Sequence, residues 1–102
     1  MIVAPVRLDA EPWTQLPEHL HWTGPMNSWV EAARPGQRLH SFLEGPCFTD
    51  DGQLWLTDVP FGRLFTVSPT GDWQLIAKTE GQPHAVKTMA DGRLALVDYQ
   101  RR

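Results

Sequence analysis

The stretch "LEGPCFTDDGQLWLTDVP", residues 43–60, decides the fold. Asp51-Gly52 is a strong hairpin signal, because tight turns between antiparallel strands need residues that tolerate positive φ angles. On one side, residues 45–50 have the composition of a short strand. On the other, residues 53–59 alternate, with Leu54 and Leu56 on one face and Trp55 on the other. The stretch therefore predicts a β-hairpin, with the acidic residue Glu44 at its entrance.

The hairpin is repeated further along the chain. When the sequence is shifted by 40 positions, five of the eight residues from 51 to 58 find an identical partner between 91 and 98. The matched pairs are Asp51 with Asp91, Gly52 with Gly92, Leu54 with Leu94, Leu56 with Leu96 and Asp58 with Asp98. Two further strands, Leu64 to Val67 and Trp73 to Lys78, lie between the hairpins.

Four short strands in a period of about 40 residues are typical of a β-propeller blade. We therefore predict an all-β fold, a partial six-bladed β-propeller with blade 1 at about 45–78 and the first half of blade 2 at about 84–99. An all-β sandwich is the alternative, but a sandwich does not require an internal repeat. The region that we assign to the propeller spans residues 43–102.

Residues 1–42 form an irregular lead-in to the predicted propeller. "IVAPVRL", residues 2–8, predicts a short edge strand that Pro5 limits. "SWVEAARPG", residues 28–36, predicts a short helix, with Ser28 as the capping residue and Glu31 completing a capping box. The Pro35-Gly36 pair is expected to end this helix.

Composition narrows the classes of function. The 102 residues suffice for one domain, and the net charge of −3 without a basic stripe argues against nucleic-acid binding. A single cysteine, Cys47, cannot form an intramolecular disulfide, and we expect it to be a buried strand residue in a reducing compartment. No signal peptide and no membrane-spanning segment are predicted, so a cytoplasmic protein is expected.

Glu44 and His84 are the candidate functional residues. The 40-residue shift aligns them, and each stands at the entrance to the first strand of its blade. In a propeller these first strands line the central channel, so a carboxylate and an imidazole would face one cavity, as a divalent-metal or acid–base site requires. The alternatives are a solvated loop glutamate and a surface histidine.

The remaining polar residues have structural interpretations. Asp58 and Asp98 are expected to bond nearby backbone amides, and Asp50 and Asp51 to serve the turn. Arg63 and Arg93 are expected at the rims of the blades. Three histidines, His19, His21 and His40, have no metal-like spacing to any acid and are expected to be structural.

Residues 42–102 resemble the senescence marker protein/gluconolactonase/luciferin-regenerating enzyme family. The resemblance rests on Glu44-Gly45-Pro46, the Asp51-Gly52 hairpin, "LTDVPFGRLFTVSPTG" at 56–71 and "DGRLALVDY" at 91–99. It implies a six-bladed propeller that hydrolyses a sugar lactone or similar cyclic ester with a divalent cation, calcium or zinc, in the central channel.

The resemblance also assigns roles to individual residues. Glu44 corresponds to the first metal ligand of the family. "QPHAV", residues 82–86, corresponds to a segment in which asparagine is usual at the position of His84 and glycine at that of Ala85, so His84 is implied to face the substrate.

The family's other metal ligands, an asparagine and an aspartate that is also the general base, lie in later blades and are expected beyond Arg102. These 102 residues alone are therefore expected to be inactive. Two alternatives stay open: a non-catalytic propeller-like binding module, and a chain whose copies associate through open blade edges to complete a ring.

Overall fold

A computed structural model describes residues 2–99, which form six β-strands in two antiparallel sheets. Strands make up 34% of the described residues and helix 9%, so the fold is mostly β, as predicted. The first sheet has the order β1-β2-β3-β4, and β5 and β6 form the second. The strands are β1 (Leu43–Phe48), β2 (Leu54–Asp58), β3 (Arg63–Val67), β4 (Trp73–Lys78), β5 (Pro83–Thr88) and β6 (Leu94–Asp98).

The two predicted hairpins share one turn geometry. Gly52 and Gly92 have φ angles of +83° and +85°, which explains why glycine follows aspartate in both turns. The Thr49 amide donates to the Gln53 carbonyl at 2.9 Å, and the Met89 amide donates to the Arg93 carbonyl at 2.7 Å. The 40-residue repeat of the sequence is therefore also a repeat of the main-chain structure.

The aspartates that close the two hairpins bond to equivalent backbone amides. Oδ1 of Asp58 accepts from the amide of Phe42 at 2.7 Å, and Oδ1 of Asp98 accepts from the amide of Gln82 at 3.0 Å. Donors and acceptors are both 40 positions apart. These contacts confirm the backbone-bonding role predicted for both acids.

The core lies between the lead-in and the first sheet. Phe65 and Val67 of β3 are fully buried, and Leu56 of β2 and Leu16 of the lead-in complete the cluster. Trp73 of β4 contacts Phe65 edge-on, with ring centroids 5.8 Å apart. The lead-in is therefore part of the folded unit rather than a separate segment.

The lead-in differs from the prediction in two respects. Residues 2–8 form no strand and are exposed, because no neighbouring strand pairs with them in the described structure. The predicted helix is present as α1 (Ser28–Ala33), and a 3-10 turn spans Glu18–Leu20. The capping residue of α1 is Asn27 and not Ser28, since the Asn27 side chain accepts a hydrogen bond from the Val30 amide at 3.2 Å. Arg34 closes the helix through its amide.

Two predictions about burial are corrected. Arg63 is 5% exposed and lies inside the fold, where Asp58 and two lead-in carbonyls compensate its charge, whereas a blade rim was predicted. Cys47 is half-buried rather than buried, because even the less exposed face of β1, which it shares with Leu43 and Gly45, is only partly covered. None of the helices within residues 2–99 has the length and apolar character needed to span a bilayer.

Candidate functional site

Glu44 lies inside β1, one residue after the strand begins. Its side chain is exposed, and its carboxylate makes no hydrogen bond or ion pair with any residue from 2 to 99. Its main chain is held firmly, because the hydroxyl of Thr57 donates to the Glu44 carbonyl at 2.9 Å. A fixed backbone with a free carboxylate is an arrangement that can offer oxygen ligands to a hard cation.

Gly45 brings the backbones of the two hairpins close together beside the candidate residues. A Cβ atom built on Gly45 would overlap the carbonyl oxygen of His84 and lie 2.5 Å from Cα of Ala85. The backbone of β5 therefore crosses β1 directly beside Glu44, and only glycine leaves room for it. The structure places Glu44 and His84 on adjacent strands at this crossing, which we call the β1–β5 junction.

Both strands carry an irregularity at this junction. In β1 the pairing passes from Glu44 with Thr57 to Cys47 with Trp55, so one extra residue is accommodated there. In β5 it passes from Pro83 with Asp98 to Ala85 with Val97, which leaves His84 without a partner in the ladder. Bulges of this kind re-aim a side chain and are frequent next to functional sites.

The ring of His84 is packed against Tyr99. The two ring centroids are 3.8 Å apart and the planes differ by 13°. Nδ1 of His84 is buried and has no hydrogen-bond partner within the described part of the chain. Tyr99 was not predicted as a site residue. The signal in the sequence is that position 99 is aromatic, whereas the equivalent position in the first hairpin is Val59.

The described residues provide only part of a metal site. Within residues 2–99, no three side chains of histidine, cysteine, aspartate or glutamate lie close enough together to hold a metal ion. Glu44 suits calcium, which prefers carboxylate oxygens, but a calcium ion takes six to eight ligands. Glu44 can thus contribute to a cation site at the junction without completing one.

A buried ion pair lies on the other side of β2. Nε of Arg63 is 2.7 Å from Oδ2 of Asp58, and the Arg63 guanidinium also donates to the carbonyls of Leu20 at 2.5 Å and His40 at 3.2 Å. Burial raises the pKa of Asp58 above its usual 3.8, while the Phe42 amide and Arg63 oppose this rise. All hydrogen-bonding groups of this pair are directed at protein atoms, so its role is structural.

The predicted structural histidines are placed apart from the junction. His21 and His40 stack with ring centroids 3.8 Å apart, and Nε2 of His21 lies 3.2 Å from the Leu16 carbonyl. They line a cleft of about 520 Å³ between the lead-in and the first sheet, together with Trp13 and Trp73. Neither Glu44 nor His84 lines this cleft.

Comparison of this chain with protein-family models, with curated proteins and with solved structures found no match.

Proposed function

We propose that this chain takes part in divalent-cation-dependent hydrolysis of a sugar lactone or similar cyclic ester, with Glu44 as a cation ligand and His84 as a substrate-facing residue. The observation that supports the proposal is the β1–β5 junction. There, Gly45 lets the backbone at His84 pass directly beside Glu44, so equivalent positions of two successive hairpins meet. In this proposal the two sheets are successive blades of a propeller and the junction faces its channel.

The chemistry of the proposed site follows from its donor set. A calcium or zinc ion, when bound, polarises the lactone carbonyl and acidifies a water molecule. The exposed Glu44 carboxylate supplies negative charge and oxygen ligands, and the half-buried imidazole of His84 supplies a polar contact to the substrate. The remaining ligands and the general base come from residues outside those described, in the same chain or in associated chains.

A cation-binding or ligand-binding module without catalysis is the second candidate. The small set of ligands at the junction favours this candidate. Within residues 2–99 the junction offers a single carboxylate without two further metal-binding side chains beside it, which is too few for metal-dependent hydrolysis. This candidate keeps the same residues but predicts binding without turnover.

Calorimetric titration with CaCl₂ and ZnCl₂ tests the proposal directly. We expect binding that Glu44→Gln abolishes, whereas Glu31→Gln, a change of an exposed glutamate on α1, leaves it intact. Because the Glu44 side chain is exposed, the variant should fold normally, as circular dichroism can show. Absence of calcium and zinc binding would rule out metal-dependent catalysis by these 102 residues, whether alone or as associated copies.

Two further measurements separate the candidates. Acid release from glucono-1,5-lactone, followed in a pH-stat, should depend on the cation and on Glu44 if the enzyme proposal is correct and associated copies complete the site. Binding without acid release supports the binding module. Light scattering shows whether copies associate into a ring: a monomeric mass excludes that arrangement.

A further inference from the structure

We infer that the neutral imidazole of His84 carries its proton on Nε2, that Tyr99 is the positioning residue that holds it so, and that Nε2–H donates a hydrogen bond to a substrate oxygen. Only the last step rests on the proposed function. The first two concern the free protein.

The burial of the two ring nitrogens determines the proton's position. Nδ1 is buried and lacks a hydrogen-bond partner among residues 2–99, while the residue as a whole is only half-buried. A neutral imidazole carries one proton, on either nitrogen. Placed on Nδ1, it would create a buried N–H without an acceptor, which is rare in folded proteins because the lost hydrogen bond to water is not replaced. On Nε2, the proton lies on the nitrogen that is open to its surroundings.

Tyr99 fixes the ring in this orientation. Its ring covers one face of the imidazole at a centroid distance of 3.8 Å. Tyr99 is itself anchored, because its backbone amide donates to the Gln82 carbonyl at 3.1 Å, directly after the pairing of Asp98 with Pro83. The stack therefore joins residues on either side of the hairpin, next to the bulge that frees His84 from the ladder. A half-turn of the imidazole about its Cβ–Cγ bond, which would move Nδ1 out of its buried position and put Cδ2 there, requires breaking this stack.

The orientation determines which group at the junction donates hydrogen bonds and which accepts them. Nε2–H is a donor, whereas the exposed carboxylate of Glu44 on the adjacent strand is an acceptor and a metal ligand. The group that fits Nε2–H is an oxygen with a free lone pair, such as the carbonyl, ring or hydroxyl oxygen of a lactone. An asparagine side chain could turn either its oxygen or its nitrogen to the ligand, whereas the buried Nδ1 leaves His84 only the donor.

Long-range ¹H–¹⁵N correlation NMR near pH 8 measures the proton's position, because the two tautomers of a neutral imidazole give different correlation patterns. The chain has four histidines, and the signals of His84 are those that disappear in His84→Asn. We expect the Nε2–H pattern for His84. His21 is an internal control, since its Nε2 faces a carbonyl oxygen and must donate. An Nδ1–H pattern, or an even mixture, for His84 would overturn the inference.

Two variants test the role of Tyr99. Tyr99→Phe keeps the stacked ring and should keep the Nε2–H pattern, whereas Tyr99→Leu removes it and should give a mixture of both tautomers. An unchanged pattern in Tyr99→Leu would refute the positioning role. Because this readout needs neither metal nor turnover, it is independent of whether the chain proves to bind a cation or hydrolyse lactones.

The donor role is tested with glucono-1,4-lactone as the probe. Addition of the probe should shift the Nε2 resonance of His84 and leave that of His21 in place. An Nε2 resonance of His84 that does not move contradicts the donor role, whether or not other signals change.

Discussion

Arg63 and Asp58 form an ion pair in the interior of the fold, with Nε and Oδ2 2.7 Å apart and side chains 6% and 0% exposed. The pair links β3 to the end of β2, and Arg63 further bonds to carbonyls of Leu20 and His40. Its guanidinium also lies 4.9 Å above the ring of Phe65. This side chain thus adds polar contacts to the apolar core between the lead-in and the first sheet.

Removing the cation of this pair should be costly. Arg63→Met leaves the buried Asp58 with the Phe42 amide but without its cation, and breaking a buried pair in this way costs about 3–5 kcal/mol. The measurement is the free energy of unfolding from urea denaturation. Arg93→Met is the matched control, because Arg93 pairs with Asp91 at 2.6 Å on the surface, at 78% and 51% exposure, and should lose at most about 1 kcal/mol. Equal losses in the two variants would show that burial is not what matters.

Gly45→Ala should weaken the β1–β5 junction more than a positive φ angle alone explains. The angle of +64° strains any alanine by about 1–2 kcal/mol, and overlap with the β5 backbone adds about 1–3 kcal/mol. Gly36→Ala separates the two costs, since Gly36 has a φ angle of +76°, no atom within 4 Å, and lies outside both sheets. We expect faster amide exchange in β5 and β6 for Gly45→Ala only. Similar exchange in both variants would contradict the close approach.

Asn27→Ala should destabilise the protein by about 1–2 kcal/mol, because caps of this type contribute that amount. The Asn27 side chain also donates to the Pro60 carbonyl at 2.6 Å, so it joins the helix to the loop after β2. Ser28→Ala is the control, and thermal unfolding should show little change, since Ser28 is the first helical residue and not the cap. A larger loss of stability in Ser28→Ala than in Asn27→Ala would show that Ser28 is the cap, as the sequence predicted.

The stability of the first hairpin turn should depend on pH through the ionisation of Asp51. Hydrogen bonds from the Thr49 hydroxyl and the Gln53 amide hold the pKa of Asp51 below 3.8. The ionised form is therefore favoured by folding: its stabilising effect is complete above 3.8 and is lost as the pH falls through the folded-state pKa. Carboxyl NMR titration should show the pKa of Asp51 rising towards 3.8 in Thr49→Val.

Thr70→Val is the control for this titration, because it removes the comparable contact between Thr70 and Asp72 in the turn after β3. The pKa of Asp51 should not change in that variant. If Thr49→Val also left the titration of Asp51 unchanged, the hydroxyl would not be the cause of the lowered pKa.

The hairpins could be predicted from sequence because their determinants are local. Asp51-Gly52 and Asp91-Gly92 dictate the turns, and alternation sets the strands to within about two residues. Arg63 was assigned to a rim because its acceptors at Leu20 and His40 are 43 and 23 residues away, where no local pattern reports them.

The candidate site, too, could be predicted from sequence only in part. The repeat aligned Glu44 with His84, and the structure places their strands side by side at Gly45. The stack of Tyr99 on His84 escaped prediction, because it depends on a one-residue bulge whose position differs between the hairpins. The cap fell on Asn27 for a similar reason: both Asn27 and Ser28 are good caps, and tertiary contact with Pro60 decides between them.

The bonds from Arg63 to Leu20 and His40 have a consequence for the order of folding. During synthesis the lead-in leaves the ribosome first, but its carbonyls find their donor only after residue 63 has emerged and β3 has paired with β2. Docking of the lead-in is therefore a late event that closes a loop of 43 residues. Until then the apolar face of the first sheet is uncovered, so this interval is when the nascent chain is most open to capture by chaperones or to aggregation.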